Sequence, residues 1–144
     1  MQLIFNVMEQ YGGIDLPAQG NSMFPYIREG DICRFNFCDG LPLKRGDIVL
    51  FHSSSEHLIA HRLYQLKSID NQLYYVFKGD TNFGLDEPVR EDQLIGKLIC
   101  VQKGKIVLLE AGLTAKVWSK MILTLPVLTL LLRMYLNRKN NTLP

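Results

Sequence analysis

Cysteine is scarce in this chain, with three residues among 144: Cys33, Cys38 and Cys100. An odd number without metal-ligand spacing makes neither a complete disulfide framework nor a zinc site. All three read as structural, Cys33 as a small hydrophobe among alternating strand residues. An excess of charge is missing too. Sixteen Lys and Arg face fourteen Asp and Glu, a formal net charge of +2. No basic stripe interleaved with aromatics appears, which argues against nucleic acid as a partner. The first residues, Met1-Gln2-Leu3-Ile4-Phe5-Asn6-Val7, carry neither a basic n-region nor a long apolar run, so no secretion signal is expected there. Internal repeats and low-complexity tracts are absent. The length fits one domain with a real core.

What is present reads mostly as short strands. Residues 2–11 carry Leu3, Ile4, Val7 and Met8 at helical spacing, closed by Gly12-Gly13. A short strand over residues 14–19 follows, and Tyr26-Ile27-Arg28 reads as a helical turn closed by Gly30-Asp31. Residues 32–37 alternate, with Arg34 and Asn36 on one face and Cys33, Phe35 and Phe37 on the other, the pattern of a half-buried strand. Asp39-Gly40 and Arg45-Gly46-Asp47 read as turns, and Ile48-Val49-Leu50-Phe51 as a core strand. Residues 58–67 and 73–78 predict a hairpin about Asp70-Asn71, and residues 94–102 pair with 105–109 across Lys103-Gly104. Residues 79–93 form the longest loop, rich in Gly, Asp and Pro; loops of that length inside compact domains are usually functional or disordered. The expectation is a mainly β fold.

Chemistry concentrates at Gly20-Asn21-Ser22-Met23-Phe24-Pro25, where a small hydroxyl sits between a glycine-containing turn and a new segment. Such a turn exposes Oγ and aims backbone N–H groups at whatever that oxygen attacks. A hydroxyl is a poor nucleophile near neutral pH and needs a base beside it. Taken alone, a serine after a glycine is more often a turn or a helix cap. His61 shares the apolar side of its strand with Ile59 and Leu63, where a histidine is more often core than catalyst. Asp80 and Asp86 lie in the long loop, where carboxylates usually cap turns or face water. Each feature is ordinary singly. In the order Ser, His, Asp they offer the nucleophile, base and acid of triad chemistry.

These residues carry a resemblance. Gly20-Asn21-Ser22-Met23-Phe24-Pro25, followed by Gly30-Asp31, resembles the nucleophile box of the signal peptidase and LexA-type serine proteases. Arg45-Gly46-Asp47-Ile48-Val49-Leu50-Phe51 is similar to their second box, and Ala60-His61-Arg62 falls where that family places its general base. Lys78-Gly79-Asp80-Thr81-Asn82, running to Asp86, resembles the acidic box, and Leu94-Ile95-Gly96-Lys97 the strand after it. Histidine at the base position is similar to the archaeal and endoplasmic-reticulum branch; bacterial signal peptidases and LexA-like repressors use lysine there.

The resemblance implies a coiled, mainly antiparallel β-sheet peptidase domain over residues 1–112. Ser22 is then the nucleophile, His61 the base and Asp86 the acid, with Asp80 as the alternative acid. Backbone N–H groups of Ser22 and Met23 are the implied oxyanion donors. No metal or cofactor is implied, and the substrate is a peptide or preprotein cleaved after small side chains. Two departures stand: no membrane helix precedes the nucleophile box, and no helix-turn-helix domain is present. The other readings are a leader peptidase for one local substrate, a non-catalytic β module that binds peptides or partner proteins, and a self-cleaving regulator.

The tail is the compositional outlier. Residues 114–138 read as one helix interrupted only by Pro126, and the run 121–132 is apolar on all sides. A helix apolar all round is buried somewhere. Residues 117–136, with Lys120 and Arg133 snorkelling, approach the roughly 20 residues that a span requires. Lys116, Arg138 and Lys139 flank the run, and Trp118 and Tyr135 read as interfacial anchors. Residues 113–144 are thus expected to form a hydrophobic helix and polar tail at a membrane, as a monotopic anchor or marginal span. The other reading packs that helix on the domain's own core or on a partner.

Overall fold

The computed structural model describes residues 2–38 and 42–141, so the expected Asp39-Gly40 turn lies outside the described residues. Helix α1 (Gln2–Tyr11) leads into β1 (Gly13–Pro17), β2 (Ile32–Phe37), β3 (Ile48–His52), β4 (Leu58–Ile69), β5 (Gln72–Lys78), β6 (Leu94–Lys103) and β7 (Ile106–Leu109). Helices α2 (Leu113–Thr124) and α3 (Pro126–Asn141) follow. All strand pairs are antiparallel, in the order β1-β2-β6-β3-β4-β5, with β7 also on β6. The fold is therefore mainly antiparallel β.

Strand β6 is the seam of the sheet. Its residues 96–102 pair with β2, while its other edge serves β3 over residues 94–97 and β7 over residues 100–103. Register shifts at Arg34/Phe35, Leu50/Phe51 and Leu63/Gln65 interrupt the ladders. Each such bulge bends its strand and raises the local twist.

Local sequence accounts for most of this. In β2, Cys33 and Phe35 are buried while Arg34 and Asn36 are exposed, as alternation requires. The β4–β5 hairpin closes between Ile69 and Gln72 on Asp70 and Asn71, whose φ angles are 51° and 62°. Two successive left-handed residues make the turn whose twist matches the flanking strands, so both strands run closer to it than the hydrophobic pattern marks. The uninterrupted apolar run of β3 is shared between two cores. Ile48 and Leu50 face one cluster with Phe35, Leu98 and Met8, whereas Val49 and Phe51 face a second with Leu63, Phe77 and Val89. A strand buried on both faces shows no alternation.

The long loop is tied to β5: Tyr75 and Val89 exchange two backbone hydrogen bonds of 2.8 Å, and the Asp86 N–H donates to the Phe77 carbonyl at 2.9 Å. One expectation changes: the tail is not one helix. Helices α2 and α3 meet at 98°, and Leu125 between them has φ −115° and ψ 88°. Proline lacks an N–H and drives the preceding residue out of the helical region, so Pro126 starts a new helix instead of interrupting one. The pair also packs on the body, burying Ala115, Ile122 and Thr129, and the partly buried Trp118 lies against the first core. Among the described residues, no single helix is long and apolar enough to cross a membrane.

Candidate active site

The Ser22 turn is anchored from both ends. Ala18 and Asp31 close its base, with the Ala18 N–H donating to the Asp31 carbonyl at 2.8 Å and the Gly30 N–H to the Ala18 carbonyl at 2.9 Å. Met23, Tyr26 and Ile27 are buried in the first core, which pins the turn and leaves Ser22 half-buried at its rim. Gly20 opens the turn at φ 71°, in the left-handed region that glycine enters without a Cβ penalty. From across the site, the Thr81 N–H donates to the Ser22 carbonyl at 2.9 Å, and the Thr81 hydroxyl lies 3.2 Å from the Asn21 carbonyl. Gly79 is required there by close approach: a Cβ would stand 3.0 Å from the Ser22 carbonyl and 2.7 Å from Asn82 Nδ2.

His61 pairs with Val49 across β4 and β3, and its ring meets Phe51 edge-on at 6.5 Å. Nε2 lies 3.0 Å from Ser22 Oγ, and Nδ1 lies 2.6 Å from Asp86 Oδ2. With the carboxylate ionised and the ring neutral, Nδ1 donates to Asp86 and Nε2 accepts from the serine hydroxyl. Asp86 reaches the ring because its own N–H is tied to β5. Ser22, His61 and Asp86 therefore form one hydrogen-bonded line. Among the described residues, the N–H groups of Ser22 and Met23 donate to no protein acceptor.

Asp80 is elsewhere. Strand parity sends His61 and Arg62 to opposite faces of β4, and Arg62 takes Asp80 in a two-point pair, Nε to Oδ1 at 2.9 Å and Nη2 to Oδ2 at 3.0 Å. Both side chains are almost wholly enclosed, at 1% and 2% exposure. Burial pulls the Arg62 pKa down, but the hydrogen bonds and charge of Asp80 outweigh it, and the net shift is upward. Lys78 lines a separate cavity with Tyr64, Pro126 and Thr129.

A cleft of about 420 Å³ opens beside Ser22 and His61, walled by Leu16, Ala18, Ile27, Phe35, Leu50 and Ile59. Cys33 also lines it, but burial, reinforced by the Asp31 charge, pushes its thiol up to about 12. That thiol stays protonated and is no competitor to the serine. Beneath the turn, the Tyr26 hydroxyl donates to Glu110 Oε2 at 2.6 Å. Burial raises the Glu110 pKa, against the lowering influence of the Tyr26 bond and the Arg62 charge.

Sequence reasoning gives no individual place in the site to Thr81, Gly79 or Glu110, and it reads Trp118 as an interfacial anchor, whereas the indole N–H meets Asp80. Only the first two had a signal, their place in the Lys78-Gly79-Asp80-Thr81-Asn82 segment. Among the described residues, no group of three or more His, Cys, Asp or Glu side chains is placed to hold a metal ion. Comparison with protein families and with curated proteins finds no match to this chain.

Proposed function

We propose that this chain is a serine endopeptidase of the signal-peptidase kind, using Ser22, His61 and Asp86. The observation that carries the proposal is the unbroken line from Ser22 Oγ through the imidazole to Asp86, at 3.0 and 2.6 Å. His61 Nε2 accepts the hydroxyl proton as Oγ attacks the scissile carbonyl, and Asp86 stabilises the imidazolium that forms. The tetrahedral oxyanion takes hydrogen bonds from the Ser22 and Met23 N–H groups, charge stabilisation that supplies a large share of such rates. The imidazolium then gives its proton to the leaving amine, and water enters by the same route to release the acyl group. The apolar cleft beside Ser22 suits small uncharged side chains before the cleaved bond.

The proposal extends to a membrane surface as the place of work. Leu113, Val117 and Met121 are exposed along α2, and Leu130, Leu131 and Met134 along α3, with Lys116 and Lys120 beside them. Exposed apolar side chains beside basic ones are the composition of an interfacial helix.

Labelling with a serine-directed fluorophosphonate is the direct test. The native chain should label at Ser22, and Ser22→Ala and His61→Ala should not. A native chain that stays unlabelled, or a Ser22→Ala variant that labels equally, overturns the reading.

A further inference from the structure

We infer that α2 and α3 are a positioning element for the nucleophile, gripping its turn through Asp80, Thr81 and Phe24. The inference rests on the peptidase reading for its consequence, though not for its contacts. Trp118 Nε1–H donates to Asp80 Oδ2 at 2.9 Å, and the Thr129 hydroxyl donates to the Asp80 carbonyl at 3.1 Å. Arg133 Nη1 reaches the Thr81 carbonyl at 3.5 Å. On the other flank, the Tyr135 ring stacks on Phe24, with centroids 5.6 Å apart and planes 13° from parallel.

The gripped residues are those that hold Ser22. Thr81 is the one whose N–H donates to the Ser22 carbonyl, and Phe24 stands two residues beyond the nucleophile. The tail thus fixes both flanks of one turn. The bend at Leu125 serves this directly: α2 delivers Trp118 to the side chain of Asp80, and α3 returns with Thr129 to its backbone. Thr129 is 2% exposed, and a buried hydroxyl without a partner is costly, so its bond to Asp80 is one that the fold has to keep. Displacing a nucleophile by a fraction of its hydrogen-bond length lowers rate steeply, on the order of 10²-fold per Å.

Thr129 and Trp118 are therefore positioning residues, and their effect is separable from bulk stability. Thr129→Val keeps the side-chain shape and removes the donor, Thr129→Ser keeps the donor, and Trp118→Phe removes the indole N–H. Two readouts are followed, the rate of fluorophosphonate labelling at Ser22 and hydrogen exchange at the Thr81 amide. Thr129→Val should slow labelling roughly tenfold and speed Thr81 exchange, with strands β2 and β6 protected as in the native chain. Thr129→Ser should restore both, and Trp118→Phe should repeat the defect. Native labelling and native Thr81 exchange in Thr129→Val overturn the inference. So does faster exchange spread evenly over the sheet, the mark of simple destabilisation. If the native chain never labels while Thr81 exchange responds as stated, the peptidase reading falls and the grip stands.

Discussion

His61 and Arg62 are chain neighbours with opposite assignments, and the contrast organises the site. The imidazole faces Phe51 and Asp86, while the guanidinium lies in the opposite layer over the Tyr26 ring. On the proposed peptidase reading Ser22 and His61 act as one unit, so Ser22→Ala and His61→Ala should each lower peptide cleavage by about 10⁴–10⁶-fold, and the double variant should be no slower than either. A double variant slower than both singles, in single-turnover assays, would mean independent roles. Glu110 gives a prediction about pH. Its folded carboxyl binds a proton more firmly than the unfolded one, since burial raises its pKa. The stability it contributes is whole below the unfolded value, about 4.3, and is lost as pH rises through the folded value. Glu110→Gln keeps an acceptor for Tyr26 without that loss. Urea midpoints should therefore show the variant gaining on the native chain as pH rises above the ordinary carboxyl value, about 4.3; a constant difference would count against the assignment.

At the scale of elements, the two acids of the long loop should separate by phenotype. Asp80→Ala strands a buried guanidinium and should cost about 3–5 kcal/mol in stability. Asp86→Asn should leave the denaturation midpoint nearly in place and lower kcat by roughly 10⁴-fold, through loss of the imidazole's orientation. If Asp80→Asn proved the more damaging to chemistry, the acid assignment would be wrong. Which acid meets His61 was open at the level of sequence because it depends on which face of β4 each loop segment reaches, a tertiary fact. Features set by near neighbours were readable in advance: the alternation of β2, the Asp70-Asn71 turn, and the chain order of serine, histidine and aspartate. The Leu125–Pro126 bend also had a local signal, in the restriction that proline places on the residue before it. The docking of Trp118 had none, since a tryptophan beside lysines in an apolar helix looks the same whether it meets lipid or protein.

For the whole molecule, the tail has two faces with two fates. Its inner face is core, so ending the chain after Gly112 removes Ala115, Trp118 and Ile122 from packing. That truncation should cost about 3 kcal/mol or more, read as a lower urea midpoint; an unchanged midpoint would show the helices to be an appendage. Its outer face should bring the native chain up with floating lipid vesicles, and Val117→Asp with Leu130→Asp should leave it at the bottom of the gradient. The seam strand carries a further consequence, one that belongs to time. Ser22 lies on the β1–β2 side of β6, whereas His61 and Asp86 lie on the β3–β4–β5 side, and among the described residues β6 alone joins the two within the sheet. A ribosome releases β6 after Ser22, His61 and Asp86. Until that strand zips in, the growing polypeptide holds the hydroxyl on one ribbon and the imidazole on another, and on the peptidase reading a half-made copy has no power to cut its neighbours.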